Sequence, residues 1–135
     1  LFKCIDKKNI KIVMGDVGSI CKQGQTHIAT WVPWEYRNEV GHVKCNESTM
    51  VWCLGVILTE LFSLSTTFFY WNDIYKFDVD IIKVYIDTVC KVKKLSDVYV
   101  DKEKKHSLEK LYKDMLNFVP SKRIKLNAIL NRIDI

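Results

Sequence analysis

Val51-Trp52-Cys53-Leu54-Gly55-Val56-Ile57-Leu58-Thr59-Glu60-Leu61 is the stretch whose reading decides the fold. Its apolar residues cover every side of a helix instead of one stripe, the pattern of a helix buried all round. In a small domain such a helix is the central pillar. Ser48 or Thr49 can accept the first free backbone N–H groups, so the predicted span is 48–62. The apolar run from Met50 to Leu58 stops at Thr59 and Glu60. A bilayer crossing needs about twenty residues, so no membrane is implied.

Working outward toward the C-terminus, Ser63 to Asp78 is aromatic and irregular. Phe68, Phe69, Tyr70 and Trp71 read as core, or as a docking site if exposed. Asp80 to Val89 puts Ile81, Ile82, Tyr85 and Val89 on one face of a helix. Leu108, Leu111, Tyr112, Met115 and Leu116 recur at helical spacing and predict a second amphipathic helix. Pro120 interrupts the chain, and Ile129, Leu130 and Ile133 mark a last short helix. Toward the N-terminus, Leu1 to Cys4 and Ile10 to Met14 flank Asp6-Lys7-Lys8-Asn9, which predicts two strands and a polar turn. Gly15 to Arg37 has no helical period and reads as a long loop, a feature that is usually functional in a compact domain. The predicted class is mainly α with a short β-hairpin, too little strand to make a core of its own.

A chain of 135 residues is enough for one core. With 48% hydrophobic and 27% charged residues it has a globular composition, not a disordered one. The net charge of +5 rests on 21 basic residues, of which only Arg37, Arg123 and Arg132 are arginine. That excess would attract nucleic acid or anionic lipid. Its densest part, Lys91 to Lys105, is however interleaved with Asp97, Asp101 and Glu103. A solvated connection is favoured over a binding patch, and nucleic acid is disfavoured as a partner. Lysine over arginine, with abundant Ile and Asn, fits an AT-rich genome such as a parasite's or a large DNA virus's.

Cys4, Cys21, Cys45, Cys53 and Cys90 are odd in number, widely spaced and lack a C-x-x-C pair, which argues against a disulfide framework and a zinc site. His27, His42 and His106 add no ligand spacing. The expectation is reduced thiols and a cytoplasmic or nuclear location, including that of a parasite or virus-infected cell. No signal peptide is visible. The first residue is Leu, which reads as a piece or processed product of a longer chain.

Three segments bear chemistry. In Ile10-Lys11-Ile12-Val13-Met14-Gly15-Asp16-Val17-Gly18-Ser19 a strand runs into Asp-x-Gly. A carboxylate there suits Mg²⁺, although Gly-Asp-x-Gly is also a common turn. The second segment is Thr30-Trp31-Val32-Pro33-Trp34-Glu35, followed by the helix around Trp52. The third is Met115-Leu116-Asn117-Phe118-Val119-Pro120-Ser121-Lys122-Arg123-Ile124. In this order and at these separations they resemble the C-terminal lobe of a eukaryotic-type protein kinase, over nearly the whole chain. The matching motifs are its metal-binding Asp-x-Gly, the Ala-Pro-Glu end of its activation segment, its central helix with Trp and Gly, and its late Asp-Pro-x-x-Arg.

The resemblance implies a kinase-like C-lobe with a hairpin at 1–14, the metal loop and activation segment at 15–37, the central helix at 48–62 and peripheral helices over 63–135. Asp16 would hold a Mg²⁺ that bridges ATP phosphates, making it both metal and cofactor ligand. Thr30 would lie beside the acceptor hydroxyl and favours Ser/Thr over Tyr. Glu35 and Arg123 would form a buried ion pair that locks the substrate loop to the helical base, a task suited to the planar guanidinium fork. Two unconnected surface charges are the plain alternative. Ser19, Thr26 and Thr30 are loop hydroxyls open to phosphorylation.

Departures from the family pattern are Val17 for Phe, Pro33-Trp34 for Ala-Pro, Val119 for Asp and Met50 for Asp. The family's Asp at the last position tethers the catalytic loop, and a thioether accepts hydrogen bonds only weakly. No His-Arg-Asp, Gly-x-Gly-x-x-Gly or Val-Ala-x-Lys occurs in the chain. Phosphoryl transfer needs those parts. The N-lobe and catalytic loop are expected upstream, with Asp-x-x-x-x-Asn just before residue 1. ATP and Mg²⁺ are expected cofactors of the complete kinase and not of this piece alone, which is predicted inactive. Two functions follow. One is the C-lobe of a Ser/Thr kinase acting on a protein substrate. The other is a catalytically dead kinase mimic that binds and regulates other kinases.

Overall fold

The computed structural model describes residues 2–6, 9–12, 22–28, 32–39, 42–63, 78–90 and 102–132, and in it the stretch around Trp52 is a helix, α1 (Glu47–Ser63). Its start corrects the expected capping. Asn46, not Ser48 or Thr49, is the N-cap: its side-chain Oδ1 accepts the Thr49 N–H at 2.8 Å, and its carbonyl accepts the Met50 N–H at 3.1 Å. Asn has the short acceptor that this position favours. The Thr49 hydroxyl is inside the helix and donates to the Lys44 carbonyl at 2.8 Å, tying the first turn to the preceding strand.

Burial of α1 is also less uniform than expected. Val51, Trp52, Gly55, Val56 and Thr59 are buried and form one stripe, while Met50 is 48% and Ile57 38% exposed. Apolar composition made every face look alike, and only packing distinguishes them. On the buried stripe α1 meets α2 (Val79–Val89) and α3 (Lys102–Met115). The core joins Val51, Trp52 and Val56 to Ile86, Cys90, Leu111, Tyr112, Met115 and Leu116, with Ile129 added from α4 (Leu126–Arg132).

The period read at 108–116 holds residue by residue, since Leu111, Tyr112, Met115 and Leu116 are buried and Leu108 packs against them. In α2 the pattern shifts. Asp78 Oδ1 caps the helix, accepting from the Asp80 and Ile81 N–H groups at 3.0 Å each. Ile81 and Val84 are exposed, and Ile86 and Cys90 face the core. Leu130, read as part of the last apolar face, is exposed. The side chains of Ile82, Tyr85 and Val89, the aromatic cluster at 68–71, Ile133 and most of the Lys-rich connection lie outside the described residues.

Two antiparallel pairs of strands accompany the helices among the described residues. β1 (Phe2–Asp6) pairs with β2 (Asn9–Ile12), matching Phe2 with Ile12 and Cys4 with Ile10, with an irregularity between Cys4 and Asp6. The second pair corrects the reading of 15–37 as loop throughout. β3 (Thr26–Ile28) pairs with β4 (His42–Lys44), Thr26 opposite Lys44 and Ile28 opposite His42. Strands of three residues are too short to show a period. A 3-10 turn follows at Trp34–Tyr36. The architecture is mainly helical.

The cysteine reading needs a second correction. Cys45 is disulfide-bonded, whereas Cys53 and Cys90 are thiols outside any disulfide. Linear spacing does not reveal which cysteines the folded chain brings together. No helix among the described residues is long and apolar enough to cross a membrane.

Candidate functional site

Arg123 follows a 3-10 turn (Pro120–Lys122) that Pro120 opens with its fixed φ. Before the turn, Asn117 Oδ1 accepts the Val119 N–H at 3.0 Å and bends the chain as it leaves α3. This bend aims the Arg123 side chain back into the protein, where its side chain is 0% exposed.

All the guanidinium donors are used. Nη1 donates to Glu35 Oε1 and Nη2 to Glu35 Oε2, both at 2.9 Å, a two-point contact between residues 88 apart in sequence. Nη1 also donates to the Ser48 carbonyl and hydroxyl at 2.9 and 2.8 Å. Nε and Nη2 converge on the Asn117 carbonyl at 3.0 and 2.8 Å. The guanidinium carbon stands 5.0 Å from the centre of the Trp52 ring, within cation–π range. Glu35 sits on the Trp34–Tyr36 turn and retains 19% side-chain exposure.

Aromatic rings wall this pair. Trp34 meets Phe118 edge-on with centroids 5.5 Å apart, and Phe118 lies tilted against Trp52 at 6.5 Å. Arg37 stacks over the Trp34 ring at 4.4 Å and donates to the Trp34 carbonyl at 3.1 Å. The segment 32–39 is therefore fastened to α1 and to the bend after α3 by charge, stacking and main-chain acceptors together. Cys53, half-buried nearby, has its thiol pushed up to about 11, chiefly by burial, with Arg123 opposing and Glu35 assisting.

Of the residues singled out from the sequence, the structure brings Glu35 and Arg123 together. Asp16 and Thr30 lie outside the described residues. Met50 and Val119 are both a little under half exposed. Ser48 and the Asn117 carbonyl were missed. Ser48 reads in sequence as a helix cap, and a backbone carbonyl leaves no trace in a sequence. Glu47 is a further tie: its Oε1 accepts the Leu126 N–H at 2.8 Å and so holds the start of α4 to the first turn of α1.

A cleft of about 510 Å³ opens beside that first turn, lined by Gln23, His27, Cys45, Glu47, Met50 and Cys53 among others. No group of three or more His, Cys, Asp or Glu suited to a metal ion occurs among the described residues. The site as described can hold a segment of chain rigidly. No protein-family model, curated protein or solved structure matches the chain.

Proposed function

We propose that the chain is the helical base of a Ser/Thr protein kinase C-lobe, whose complete form transfers phosphate from ATP to a protein hydroxyl. One observation carries the reading: the buried two-point contact of Arg123 with Glu35, set on Trp52 of the central helix. In the kinase pattern the Glu and Arg at these positions fasten the substrate-docking loop to the helical base, and the Trp belongs to the core helix. Two unrelated surface charges would not leave a guanidinium with every donor used. The chain's part in such a reaction is positioning: it fixes the loop that receives the substrate, and positioning accounts for much of phosphoryl-transfer catalysis. Mg²⁺ and ATP would supply the phosphoryl group and charge neutralisation in the complete enzyme, with Asp16 the residue assigned to the metal by the motif.

A second reading, a non-catalytic kinase mimic that binds other kinases, is favoured by Met50. Its exposed thioether stands where the kinase pattern has an Asp that holds the catalytic loop. The test is phosphate incorporation by the protein expressed from the whole reading frame, with Mg²⁺-ATP and a generic basic protein substrate. The kinase reading requires phosphoserine or phosphothreonine in the substrate, lost in Asp16→Ala, and a raised KM for substrate protein in Glu35→Gln. A folded product that transfers no phosphate and gives no thermal shift with Mg²⁺-ATP selects the mimic.

A further inference from the structure

Ser48 holds its hydroxyl between two elements. It is the second residue of α1 and half-buried. Its Oγ accepts from Arg123 Nη1 at 2.8 Å and donates to the Pro120 carbonyl at 3.4 Å. The second bond is long and exposed, so the outer side of the hydroxyl is loosely held. Glu47, the neighbouring acid, is turned toward α4, where it accepts the Leu126 N–H.

Arg123 Nη1 is oversubscribed. A guanidinium Nη carries two hydrogens, and here Glu35 Oε1, the Ser48 carbonyl and Ser48 Oγ all accept from it at 2.8 to 2.9 Å. A stronger acceptor at Oγ therefore draws a hydrogen away from Glu35. The two members of the pair are not equally free to respond. The Arg123 side chain is 0% exposed, and the Asn117 carbonyl holds it through Nε and Nη2. Glu35 keeps 19% exposure and sits on a three-residue turn, with water on one side. Glu35 is the one that leaves.

We propose that Ser48 is a phosphorylation site that controls the Glu35–Arg123 latch: a phosphoryl group on its hydroxyl takes Arg123 and releases the segment 32–39. The donor is Mg²⁺-ATP on a separate protein kinase. Ser48 Oγ attacks the terminal phosphorus, and the bond from that phosphorus to the ADP oxygen breaks. ADP leaves with the electron pair, and the hydroxyl proton passes to a base of that kinase. The phosphate brings about two negative charges and three acceptor oxygens, and an arginine fork binds phosphate as it binds carboxylate. One guanidinium cannot neutralise the phosphate and Glu35 together. The ester bond keeps the phosphate within reach of Nη1, and the first turn of α1 favours a negative group. Glu35 is repelled into water. What this does to activity rests on the kinase reading, in which 32–39 belongs to the substrate-docking loop and its release weakens substrate binding.

The experiment is amide hydrogen exchange on the whole chain with phosphoserine genetically encoded at position 48, beside the unmodified protein. The reporters are the Tyr36, Arg37 and Glu39 N–H groups, which are bonded to the Pro33, Trp34 and Tyr36 carbonyls. The phosphate is expected to quicken their exchange about tenfold or more, leaving Leu111–Met115 protected. In Glu35→Gln the same amides should exchange fast already, and the phosphate should add nothing. Ser48→Glu should move them in the same direction to a smaller extent, which keeps the test open if the phosphorylated form does not fold. Phosphopeptide mapping of the protein from its own cells should find phosphate on Ser48. Unchanged or slower exchange at 36–39, equal loosening throughout the protein, or Ser48 unmodified in those cells would each overturn the proposal. None of these measurements involves phosphate transfer by this chain, so the latch control and the kinase reading fail separately.

Discussion

Arg123 shows how one side chain can close a fold. Its buried charge is tolerable because each N–H finds an acceptor and the carboxylate of Glu35 lies at two of them. Removing one member of a buried ion pair typically costs about 3–5 kcal/mol, mainly through the charge left behind. Glu35 keeps some water contact, so Glu35→Ala belongs at the lower end and Arg123→Ala at the upper. Urea denaturation of both singles and the double variant should give a coupling of about 2 kcal/mol, and additive losses would dissolve the pair. Arg123→Lys should recover little, since an ammonium cannot reach Glu35, Ser48 and Asn117 in one plane. The two charged partners were legible because each sits in a motif with its own order and spacing. Their supports were not: the Asn117 carbonyl belongs to the backbone, and the Ser48 hydroxyl looks in sequence like a cap.

Gly55 decides how closely α1 and α3 approach. A Cβ built there would stand 3.0 Å from Met115 Cβ and 3.1 Å from Leu116 Cδ2. Alanine favours helix over glycine by about 1 kcal/mol, but overpacking a filled core costs about 1–3 kcal/mol. The Met115 Cβ is fixed to the α3 backbone and cannot rotate away. Gly55→Ala should therefore lose about 1 kcal/mol net, and Met115→Ala should not rescue it, because alanine keeps the offending atom. A raised melting temperature in Gly55→Ala would show that the helices part easily. Asn46→Ala should cost about 1 kcal/mol through the lost cap, with Asn46→Asp close to wild type. Long elements were readable from periodicity, as α3 shows. The stripe on α1 was hidden by apolar residues all round, and β3 and β4 were too short to leave a period. Their pairing is a fact of tertiary structure, set by main-chain bonds that any sequence can make.

The core also stores protons, which gives the folded protein a limit in alkali. Burial pushes the Cys90 thiol from 9.0 up to about 12 and the Cys53 thiol up to about 11. It raises the Tyr112 hydroxyl as well, with Cys90 adding to the effect. Each of these groups holds its proton more tightly folded than unfolded. Below about pH 9 both states are protonated and the contribution is complete. Between the unfolded and folded values the unfolded chain alone gives up the proton, so stability falls as pH rises, by at most about 1.4 kcal/mol per pH unit for each group. Urea midpoints should hold up to about pH 9 and then decline toward pH 11. Exposed Lys113, held protonated by its 2.7 Å bond to Asp87, adds little because surface pairs are weak. Replacing the two core groups together, Cys90→Ala with Tyr112→Phe, removes most of the titrating load. The double variant starts less stable at pH 8, and its midpoint should descend less steeply than that of the wild type above pH 9. Parallel curves would mean that the two groups titrate alike in the folded and unfolded chain, and that the space between α2 and α3 is wet.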